Sequence, residues 1–400
     1  MAADRNRIST SSKPTKDSSS ANKHAKKLER RQKRIVMGEI DYTFLVIVIL
    51  IVAAGLVVLL SASAPAGLAQ EGGNSYSFFI KQAVCAALGF VGMWFVSRIN
   101  YERYKAYIPF AMAICVLLLI LVLIPGLGRK INGSRRWLNT PIIPVQPSEF
   151  VKPIIAMFFA LMIEKGNLNL KTFGGNLPFL CIIGVVVGLM LCETHLSGAI
   201  VIAGIALVVM IAGGTPIKPM IIALCVIVPV GIFLVSFNEV RWERITGFLD
   251  PFADMQDTTY QISQALYAIG SGRIFGLGLG QSVLKYTYLP EPYNDFIFAI
   301  ICEELGLVGA VIIMGLFVLL IFRGVRIAMN APDVYSTLTA IGIVSQIAIQ
   351  TILNIAVATS SVPNTGVALP FFSYGGTSIL TLLIEMGVLL NISRRSKNAL

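Results

Sequence analysis

The sequence has little charge for its length. Only 13% of its 400 residues are charged, whereas 56% are hydrophobic and the mean hydropathy is +0.77. Soluble globular proteins typically carry about 25% charged residues. The shortage of charge therefore excludes a soluble enzyme, leaves no soluble domain of useful size, and indicates a polytopic membrane protein.

Histidine and cysteine, which supply many metal ligands and nucleophiles, are also scarce. His24 lies in the basic N-terminal segment, so His195 is the one histidine near the membrane, and no Ser-His-Asp triad can be placed. There is no C-x-x-C pair, and every cysteine falls in an apolar run. This pattern predicts small core residues rather than a disulfide framework or a zinc site. The cysteines are Cys85, Cys115, Cys181, Cys192, Cys225 and Cys302.

Ten apolar runs are long enough to cross a bilayer, for which about 20 residues suffice. The fourth, fifth and sixth runs are short. We predict an all-α polytopic membrane protein of about ten transmembrane helices, with a large extracytoplasmic loop over 238–295 between helices 7 and 8. The runs cover 42–62, 77–97, 106–125, 149–164, 176–192, 197–213, 217–237, 296–322, 334–357 and 375–393.

The distribution of positive charge predicts the orientation. The net charge is +11, and much of the excess lies in residues 1–40, which we interpret as a disordered basic cytoplasmic tail and not as a nucleic-acid site. The membrane domain then covers 41–394, and 395–400 form a cytoplasmic C-terminal end. If the tail is cytoplasmic and successive helices cross the membrane in opposite directions, the Lys and Arg of the short inner loops all lie in the cytoplasm. Both termini are then inside. The outer loops are 63–76, 126–148, 238–295 and 358–374.

One outer loop is basic, on the side where positive charge is normally scarce. It carries Arg129, Lys130, Arg135 and Arg136. An error in the predicted topology would explain this charge. However, moving this loop to the cytoplasmic side would place the positively charged residues of every later inner loop on the outside. We interpret the loop as a site for an anionic ligand such as phosphate, which arginine holds through its planar fork.

Asp295 stands where a polar loop with two prolines turns into a long apolar helix. An aspartate before an apolar run is typical of a helix N-cap, and spacing alone slightly favours that role. A carboxylate pair with Glu303 is excluded, because eight helical residues separate the two by about 12 Å along the axis and about 80° around it. Glu303 and Glu304 lie two turns into the apolar run, where ionisable groups usually face the protein interior or a water-filled cavity.

Other polar residues lie within or beside the apolar runs. Glu149 and Lys152 are spaced i, i+3 and predict a local ion pair. Asn354, Glu385 and the run PNTGVALPFFSYGG place polar and helix-breaking residues at membrane depth, where they must line a cavity or be buried in protein. Within the large loop, Asp257 before TTYQISQALYAIG predicts the cap of a short amphipathic helix.

These motifs resemble the SEDS family (shape, elongation, division and sporulation proteins) over nearly the whole chain after about residue 40. The sequences PFAD and KYTYLPEPYNDF are more similar to the FtsW branch than to RodA, although a sporulation paralogue of FtsW would look much the same. The matching stretches are NGSRRWL (132–138), QPSEFVK (146–152), ITGFLDPFAD (245–254), YQISQALYAIGSG (260–272), FGLGLGQS (275–282), YLPEPYNDFIFAIICEELGLVGA (288–310) and PNTGVALPFFSYGGTS (363–378).

The resemblance implies a SEDS fold of GT-C-like type and an inverting peptidoglycan glycosyltransferase that polymerises lipid II on the outer face of the bacterial cytoplasmic membrane, at the division septum. It implies a class B penicillin-binding protein and other division proteins as partners, no nucleic acid and no certain cofactor, and leaves Mg²⁺ or Mn²⁺ open. A lipid II flippase and a structural scaffold are the alternatives. The outer position of the polar loops disfavours the first, and the second would leave Asp295 without a role.

The resemblance makes Asp295, in PEPYNDFIFA, the catalytic residue and overturns the preference for a cap. Many members have an aspartate where ETHLSGA has His195, and a histidine there predicts greater pH sensitivity. GSGRIFG has Arg273 where glycine is common. The predicted substrate-binding residues are Arg135, Arg136, Arg244, Lys285, Glu291, Ser373 and Tyr374. The predicted supporting residues are Glu149, Lys152, Gln264, Glu303 and Glu385.

Overall fold

The computed structural model of the chain describes residues 38–70, 73–131, 134–139, 144–218, 220–221, 247–252, 259–286 and 288–395. Nine of the ten predicted runs form helices there, and the seventh, 217–237, lies largely outside these ranges. The described helices are α1 (Tyr42–Gln70), α2 (Ser77–Arg98), α3 (Tyr101–Lys105), α4 (Ile108–Leu123), α5 (Pro147–Glu164), α6 (Phe173–Cys192), α7 (Leu196–Ala212), α8 (Tyr260–Ser271), α9 (Ile297–Met329), α10 (Val334–Ala358) and α11 (Gly376–Ser393), with a 3₁₀ turn at Leu284–Tyr286.

The helices confirm a multi-pass, helical membrane protein. Six of them are long and apolar enough to cross a membrane, and α4 and α7 are shorter apolar helices. The amphipathic helix in the large loop is confirmed as α8, whereas its predicted cap, Asp257, lies outside the described residues. The basic outer loop adds a short antiparallel hairpin of β1 (Gly128–Ile131) and β2 (Ser134–Leu138), which the helical prediction lacked.

Small residues and lipid-facing apolar surface shape the packing. A Cβ on Gly387 of α11 would lie 2.6 Å from the carbonyl oxygen of Met93, so α2 and α11 approach closely only because this residue is glycine. The prediction that all cysteines are core residues is wrong for Cys181 and Cys192, which are exposed. Lipid tails are as apolar as a protein core, so a small apolar residue is tolerated on either face. Cys225 lies outside the described residues.

Helix α9 is broken at Gly306, whose φ of 67° and ψ of −168° are not helical. The break leaves carbonyl groups without helical partners. Those of Glu303 and Glu304 accept hydrogen bonds of 2.9 Å from the backbone N–H groups of Leu277 and Gly278. The backbone that follows α8 therefore folds back against a membrane helix, and we call residues 272–286 the re-entrant segment.

The same break is closed from its other side by two further backbone bonds. Leu307 N–H donates to the carbonyl oxygen of Arg273 at 3.0 Å, and the next residue bonds Ile274 in the same way. A Cβ on Gly276 would lie 2.2 Å from the Glu304 carbonyl oxygen, and one on Gly306 would lie 2.3 Å from the Gly276 nitrogen. Both positions need glycine, because only a bare backbone can approach this closely.

Candidate active site

Asp295 lies in the turn directly before α9 and is half-buried. The helix begins at Ile297, and Phe296 occupies the N-cap position without a side-chain cap bond, so the interpretation of Asp295 as the N-cap is wrong. Its backbone is instead fixed from α10. The Asn354 side-chain amide donates to the carbonyl oxygens of Asp295 at 2.8 Å and of Val367 at 2.7 Å.

The glycine of PNTGVALP lies against the Asp295 carboxylate. Gly366 has a φ of +68°, and a Cβ built on it would lie 3.0 Å from Asp295 Oδ2. A side chain at this position would therefore both strain the backbone and push the carboxylate aside. The sequence predicts that this run lines a cavity or is buried in protein, and burial is what the structure shows, since Val367, Leu369 and Phe372 are 4%, 1% and 0% exposed.

Ser373 and Tyr374 hold the turn that precedes Asp295. The Ser373 hydroxyl donates to the carbonyl oxygen of Asn294 at 2.6 Å and accepts from the N–H of Leu369 at 2.8 Å. The N–H of Tyr374 donates to the carbonyl oxygen of Tyr293 at 2.9 Å. Because the Ser373 hydroxyl is used in both directions, its geometry favours positioning of the turn over the predicted contact with substrate.

Two residues of α2 contact the residues that hold the Asp295 turn, and the sequence analysis missed both. The Gln82 side chain donates to the Ser373 carbonyl oxygen at 3.3 Å and accepts from the Gly375 N–H at 3.1 Å. The Phe78 ring lies 4.9 Å from the rings of both Tyr293 and Tyr374. A glutamine within the predicted membrane run 77–97 is the signal that could have found Gln82, since such a group must be satisfied inside the protein.

The loop on the other side of Asp295 carries Glu291 and Tyr293. Glu291 is exposed, adopts a φ of +47°, and accepts a 3.0 Å bond from the Asn294 side chain. Burial raises the pKa of Tyr293 to about 12, and the nearby Glu291 charge adds to the effect. Tyr293 is therefore a neutral phenol at physiological pH, able to donate a hydrogen bond at the edge of the site.

The basic hairpin is anchored on the linker between α6 and α7. Arg136 Nη2 donates to the Thr194 carbonyl oxygen at 2.8 Å and to Ser134 Oγ at 3.3 Å. The Thr194 hydroxyl donates to Ser134 Oγ at 2.7 Å, and Thr194 itself has a φ of 57°. Arg135 makes a longer bond of 3.5 Å from Nη1 to the Leu123 carbonyl oxygen. The side chains of the two arginines that were predicted to bind substrate are therefore held by hydrogen bonds to neighbouring segments.

The same linker contributes two buried ionisable residues. Glu193 is 1% exposed, and neither carboxylate oxygen accepts a hydrogen bond from the described residues. Burial raises the pKa of Glu193 to about 8, against the opposing effect of the Arg136 charge. Burial lowers the pKa of His195 to about 3, and the positive charges of Arg136 and Lys152 lower it further. The expectation that His195 adds pH sensitivity is thus wrong, and the sensitive group is Glu193.

An ion pair lies within the membrane domain below this linker. Lys152 Nζ and Glu149 Oε1 are 2.6 Å apart and both side chains are buried, which confirms the predicted pair. Glu385 on α11 accepts a 3.2 Å bond from the Gln346 side chain of α10. The bond between Glu385 and Gln346 joins α10 to α11, whereas the ion pair lies within α5. Gln264 on α8 is half-buried and makes no hydrogen bond to the described residues.

Lys285 does not stand where a phosphate-binding cation is needed. It is 6% exposed, and its Nζ lies 2.8 Å from each of Ser61 Oγ, the Gly280 carbonyl oxygen and Glu304 Oε1. An ammonium has three donors, and these contacts use all of them. The geometry contradicts the predicted substrate contact and gives Lys285 a structural role between α1 and α9.

Glu303 faces the protein interior, as expected, and holds the re-entrant segment. Its carboxylate accepts from Ser282 Oγ at 2.5 Å and from the N–H groups of Val283 at 2.9 Å and Leu284 at 3.3 Å. Arg244, the remaining predicted substrate-binding residue, lies outside the described residues. Within the described ranges, no three His, Cys, Asp or Glu side chains converge as metal ligands do.

Two hydrogen bonds connect the hairpin to the segment that follows Tyr374. Leu138 at the end of β2 donates its N–H to the Val145 carbonyl oxygen at 2.8 Å, and the neighbouring Pro144 carbonyl oxygen accepts a 3.0 Å bond from Thr377. Thr377 follows Tyr374 by three residues and is the second residue of α11. A carboxylate, a phenol and an anchored pair of arginines thus share one region of the molecule.

The sequence of the membrane domain matches the cell cycle protein family that comprises FtsW, RodA and SpoVE over residues 41–398. The chain belongs to this FtsW/RodA/SpoVE family. A relative in this family, stage V sporulation protein E of Bacillus subtilis (strain 168), is 39% identical over 358 residues, which are 89% of this chain and 98% of that protein. The probable peptidoglycan glycosyltransferase FtsW of Trichlorobacter lovleyi is 36% identical and covers 93% of this chain and 98% of its own.

Solved structures of the FtsW/RodA/SpoVE family share the fold. A chain from a peptidoglycan synthase complex, in work on the coordination of polymerization and crosslinking, superposes with a TM-score of 0.76 at 27% identity, covering 90% of this chain and 99% of that one. The rod shape determining protein RodA of Thermus thermophilus superposes with a TM-score of 0.67 at 26% identity, covering 90% and 98%. The SEDS resemblance of the motifs is thereby confirmed.

Proposed function

We infer that the chain is a peptidoglycan glycosyltransferase of the multi-pass membrane class. The FtsW relatives carry that activity in their names and match nearly the full length of both chains. The observation that carries the proposal at the level of residues is the placement of Asp295. Its carbonyl is fixed by Asn354 and its carboxylate lies against Gly366, at the outer end of a membrane helix.

The substrate that fits this placement is the lipid-linked disaccharide lipid II. Asp295 takes the proton from the 4-hydroxyl of the acceptor sugar while that oxygen forms the new glycosidic bond to the donor sugar. The bond between the donor sugar and its pyrophosphate breaks, and the electron pair leaves with the lipid pyrophosphate. Attack opposite the leaving group inverts the configuration. Arg135 and Arg136 stabilise the charge that develops on the pyrophosphate.

The cellular setting follows from the same chemistry. A glycan strand made here must be crosslinked, and the composition leaves no soluble domain for that step, so we propose a class B penicillin-binding protein as the partner. The positive-inside pattern supports both termini in the cytoplasm. The FtsW-like motifs support a role at the division septum with other division proteins.

The decisive experiment replaces Asp295 by Asn. The variant keeps the size of the side chain but cannot accept the proton, so glycan synthesis from labelled lipid II should fall by roughly 10²- to 10⁴-fold while the protein still folds. Glu102→Gln is a matched control, because it removes an exposed carboxylate from α3, at the inner side by the predicted topology. Near-normal strands from the Asp295 variant would rule out the base.

The flippase alternative has one observation in its favour, the buried ion pair of Glu149 and Lys152 at membrane depth. The same purified protein separates the two functions. Wild-type protein that moves lipid II across vesicles yet never polymerises it would favour transport. A scaffold would do neither, and Asp295→Asn would then leave every measured property unchanged.

A further inference from the structure

Helix α9 is much longer than a bilayer requires. It has 33 residues, counted across the break at Gly306, whereas the hydrocarbon core needs about 20. Arg323 and Arg326 mark its inner end, following the preference of positive charge for the cytoplasm. Counting about 17 to 20 residues back from Phe322 places the outer border of the hydrocarbon between Glu303 and Gly306. The kink of α9 therefore lies at the lipid headgroup level.

The re-entrant segment meets the membrane at this level and presents apolar side chains to it. Its backbone bonds to residues 303–308 of α9 fix that depth. Phe275 is 81% exposed, and Ile274, Leu277 and Leu279 are also exposed. Exposed apolar side chains beside the hydrocarbon border are covered by lipid rather than by water.

Arg273 is the cation of this surface. It is exposed, has a φ of 48°, and makes no ion pair within the described residues. Residues other than glycine are uncommon in this backbone conformation. A guanidinium held at the headgroup level, next to side chains that face lipid, suits the phosphate of a lipid.

A groove lies between α8 and the re-entrant segment, and Ser271, which lines it, is two residues before Arg273. Its volume is about 480 Å³, and its walls are almost wholly apolar. Glu303 lies at its floor, but the carboxylate oxygens are bonded to residues 282–284 and leave the groove without a free charge. A space of this size and lining holds a segment of one hydrocarbon chain. The other lining residues include Leu266, Tyr267, Leu277, Val283 and Leu284.

We propose that this groove and Arg273 bind the acceptor lipid of the reaction, with its polyprenyl chain in the groove and its diphosphate on Arg273. The proposal rests on the function inferred above. The helical stretch of α9 before its break, 297–305, spans about 13 Å, and Leu307, which pairs with Arg273, lies beyond it. The donor diphosphate must stay beside the reacting carbon, near Asp295. In the acceptor, a whole disaccharide separates the diphosphate from the attacking 4-hydroxyl, so only the acceptor suits this spacing.

The test is photolabelling of the protein in nanodiscs by a polyprenyl diphosphate with a photoreactive group in its chain. In the wild type, label should appear in peptides that cover 266–284. Arg273→Gly should lower labelling by about tenfold or more, which corresponds to the loss of one charge-assisted contact of about 1.4 kcal/mol. Arg273→Lys should retain part of it, because a point charge replaces the fork.

Arg273→Gly suits the backbone at this position, so a loss of labelling cannot be attributed to misfolding. Arg326→Ala, which removes an exposed arginine near the opposite end of α9, is the matched control and should label as the wild type does. Undiminished labelling of Arg273→Gly would overturn the proposal. Equal displacement of the label by phosphatidylglycerol would also overturn it, because the site would then take any anionic lipid.

Labelling does not depend on turnover, so the two proposals can fail separately. In polymerisation assays Arg273→Gly should raise the KM for lipid II by about the same factor as it lowers labelling and leave kcat nearly unchanged. Wild-type protein that labels at 266–284 but never polymerises would remove the proposed function and leave a polyprenyl lipid site. Normal polymerisation without labelling would remove the site alone.

Discussion

Asp295 is held in position by two residues that are distant from it in the sequence. Asn354 fixes its carbonyl, and Gly366 lies against its carboxylate. The same amide of Asn354 also donates to the carbonyl oxygen of Val367, so one side chain ties the Asp295 turn to the 363–378 run. Ser373 and Gln82 hold the turn from the other side, again through hydrogen bonds to carbonyl oxygens.

Arg136 should contribute more to activity than its neighbours on the hairpin. Replacement by Ala should lower kcat/KM for lipid II by about 10- to 100-fold, because a hydrogen bond to a charged group is worth about 1.5–3 kcal/mol. Lys should restore activity only in part, since it lacks the bidentate fork. The measurement is strand synthesis over a range of lipid II concentrations.

Arg129→Ala is the control for Arg136, because it removes the same charge from the same hairpin. Arg129 pairs with Trp137 across the strands, and its side chain has no hydrogen bond to the 193–195 linker. Equal losses for the two variants would mean that only the net charge of the loop matters. Normal, stably folded Ala variants at both 135 and 136 would exclude the hairpin as a ligand site.

The buried Glu193 should make stability fall as pH rises. Its pKa in the folded protein, about 8, lies above the ordinary value of about 4.5, so the folded state keeps a proton that the unfolded state has lost. The contribution is fully present below about pH 4.5 and is lost as pH rises through 8. Since one pKa unit corresponds to about 1.4 kcal/mol, the loss is on the order of a few kcal/mol.

Glu193→Gln is permanently neutral and should remove this dependence. Thermal melts between pH 5 and pH 9 should show a smaller fall of Tm for the variant than for the wild type. His195→Gln should leave the slope unchanged over this range, because the pKa of His195, about 3, lies below it. Parallel curves for wild type and Glu193→Gln would contradict the assignment of a protonated Glu193.

At the scale of elements, the kink of α9 and the re-entrant segment form one unit. The break at Gly306 exposes backbone groups that the bilayer cannot satisfy, and Arg273 to Gly278 supply the missing partners. Glu303 and Glu304 then hold the following turn, and Lys285 links it to Ser61 of α1. The loop before Asp295 is thus anchored to the membrane helix α9.

Gly306→Ala should therefore be among the most damaging single changes in α9. The new Cβ would lie 2.5 Å or less from backbone atoms of Ile274 and Gly276, and the positive φ adds about 1–2 kcal/mol of strain. Gly315→Ala lies in the same helix with open space around it, and should stabilise by about 0.5–1 kcal/mol. The check is the Tm of each purified variant, and a Gly306 variant as stable as Gly315→Ala would contradict the interlock.

At the scale of the whole molecule, the described polar segments of the candidate site lie at one end of the helices. The hairpin, the Asp295 turn and the 363–378 run meet there, joined by the contact between Pro144 and Thr377. By the predicted topology this end faces outward, the side on which the proposed reaction takes place. The remaining surface of the helices is largely apolar and faces lipid.

A protein built in this way should work in a complex with a separate crosslinking enzyme. A chain of similar fold comes from a peptidoglycan synthase complex that couples polymerization and crosslinking. We expect co-purification with a class B penicillin-binding protein from mild detergent, and none with an unrelated single-pass protein expressed at the same level. Failure with every class B protein of the organism would exclude this partnership.

The sequence by itself determined the helices, their order and the family. A run of about 20 apolar residues must form a helix in a bilayer, because no water is present to satisfy its backbone, and that property is local. The same reasoning correctly identified the Glu149–Lys152 pair, which lies one helical turn apart, and the inward orientation of Glu303.

Only the tertiary structure decided what each polar residue does. Lys285 resembled a substrate ligand until Glu304 and Ser61, 19 and 224 residues away, were placed around it. Glu193 acquired its raised pKa from burial, and Asp295 lost its role as a cap because the helix begins two residues later. Such properties depend on contacts between distant segments and on exclusion of water, and neither is encoded in the periodicity of a single helix.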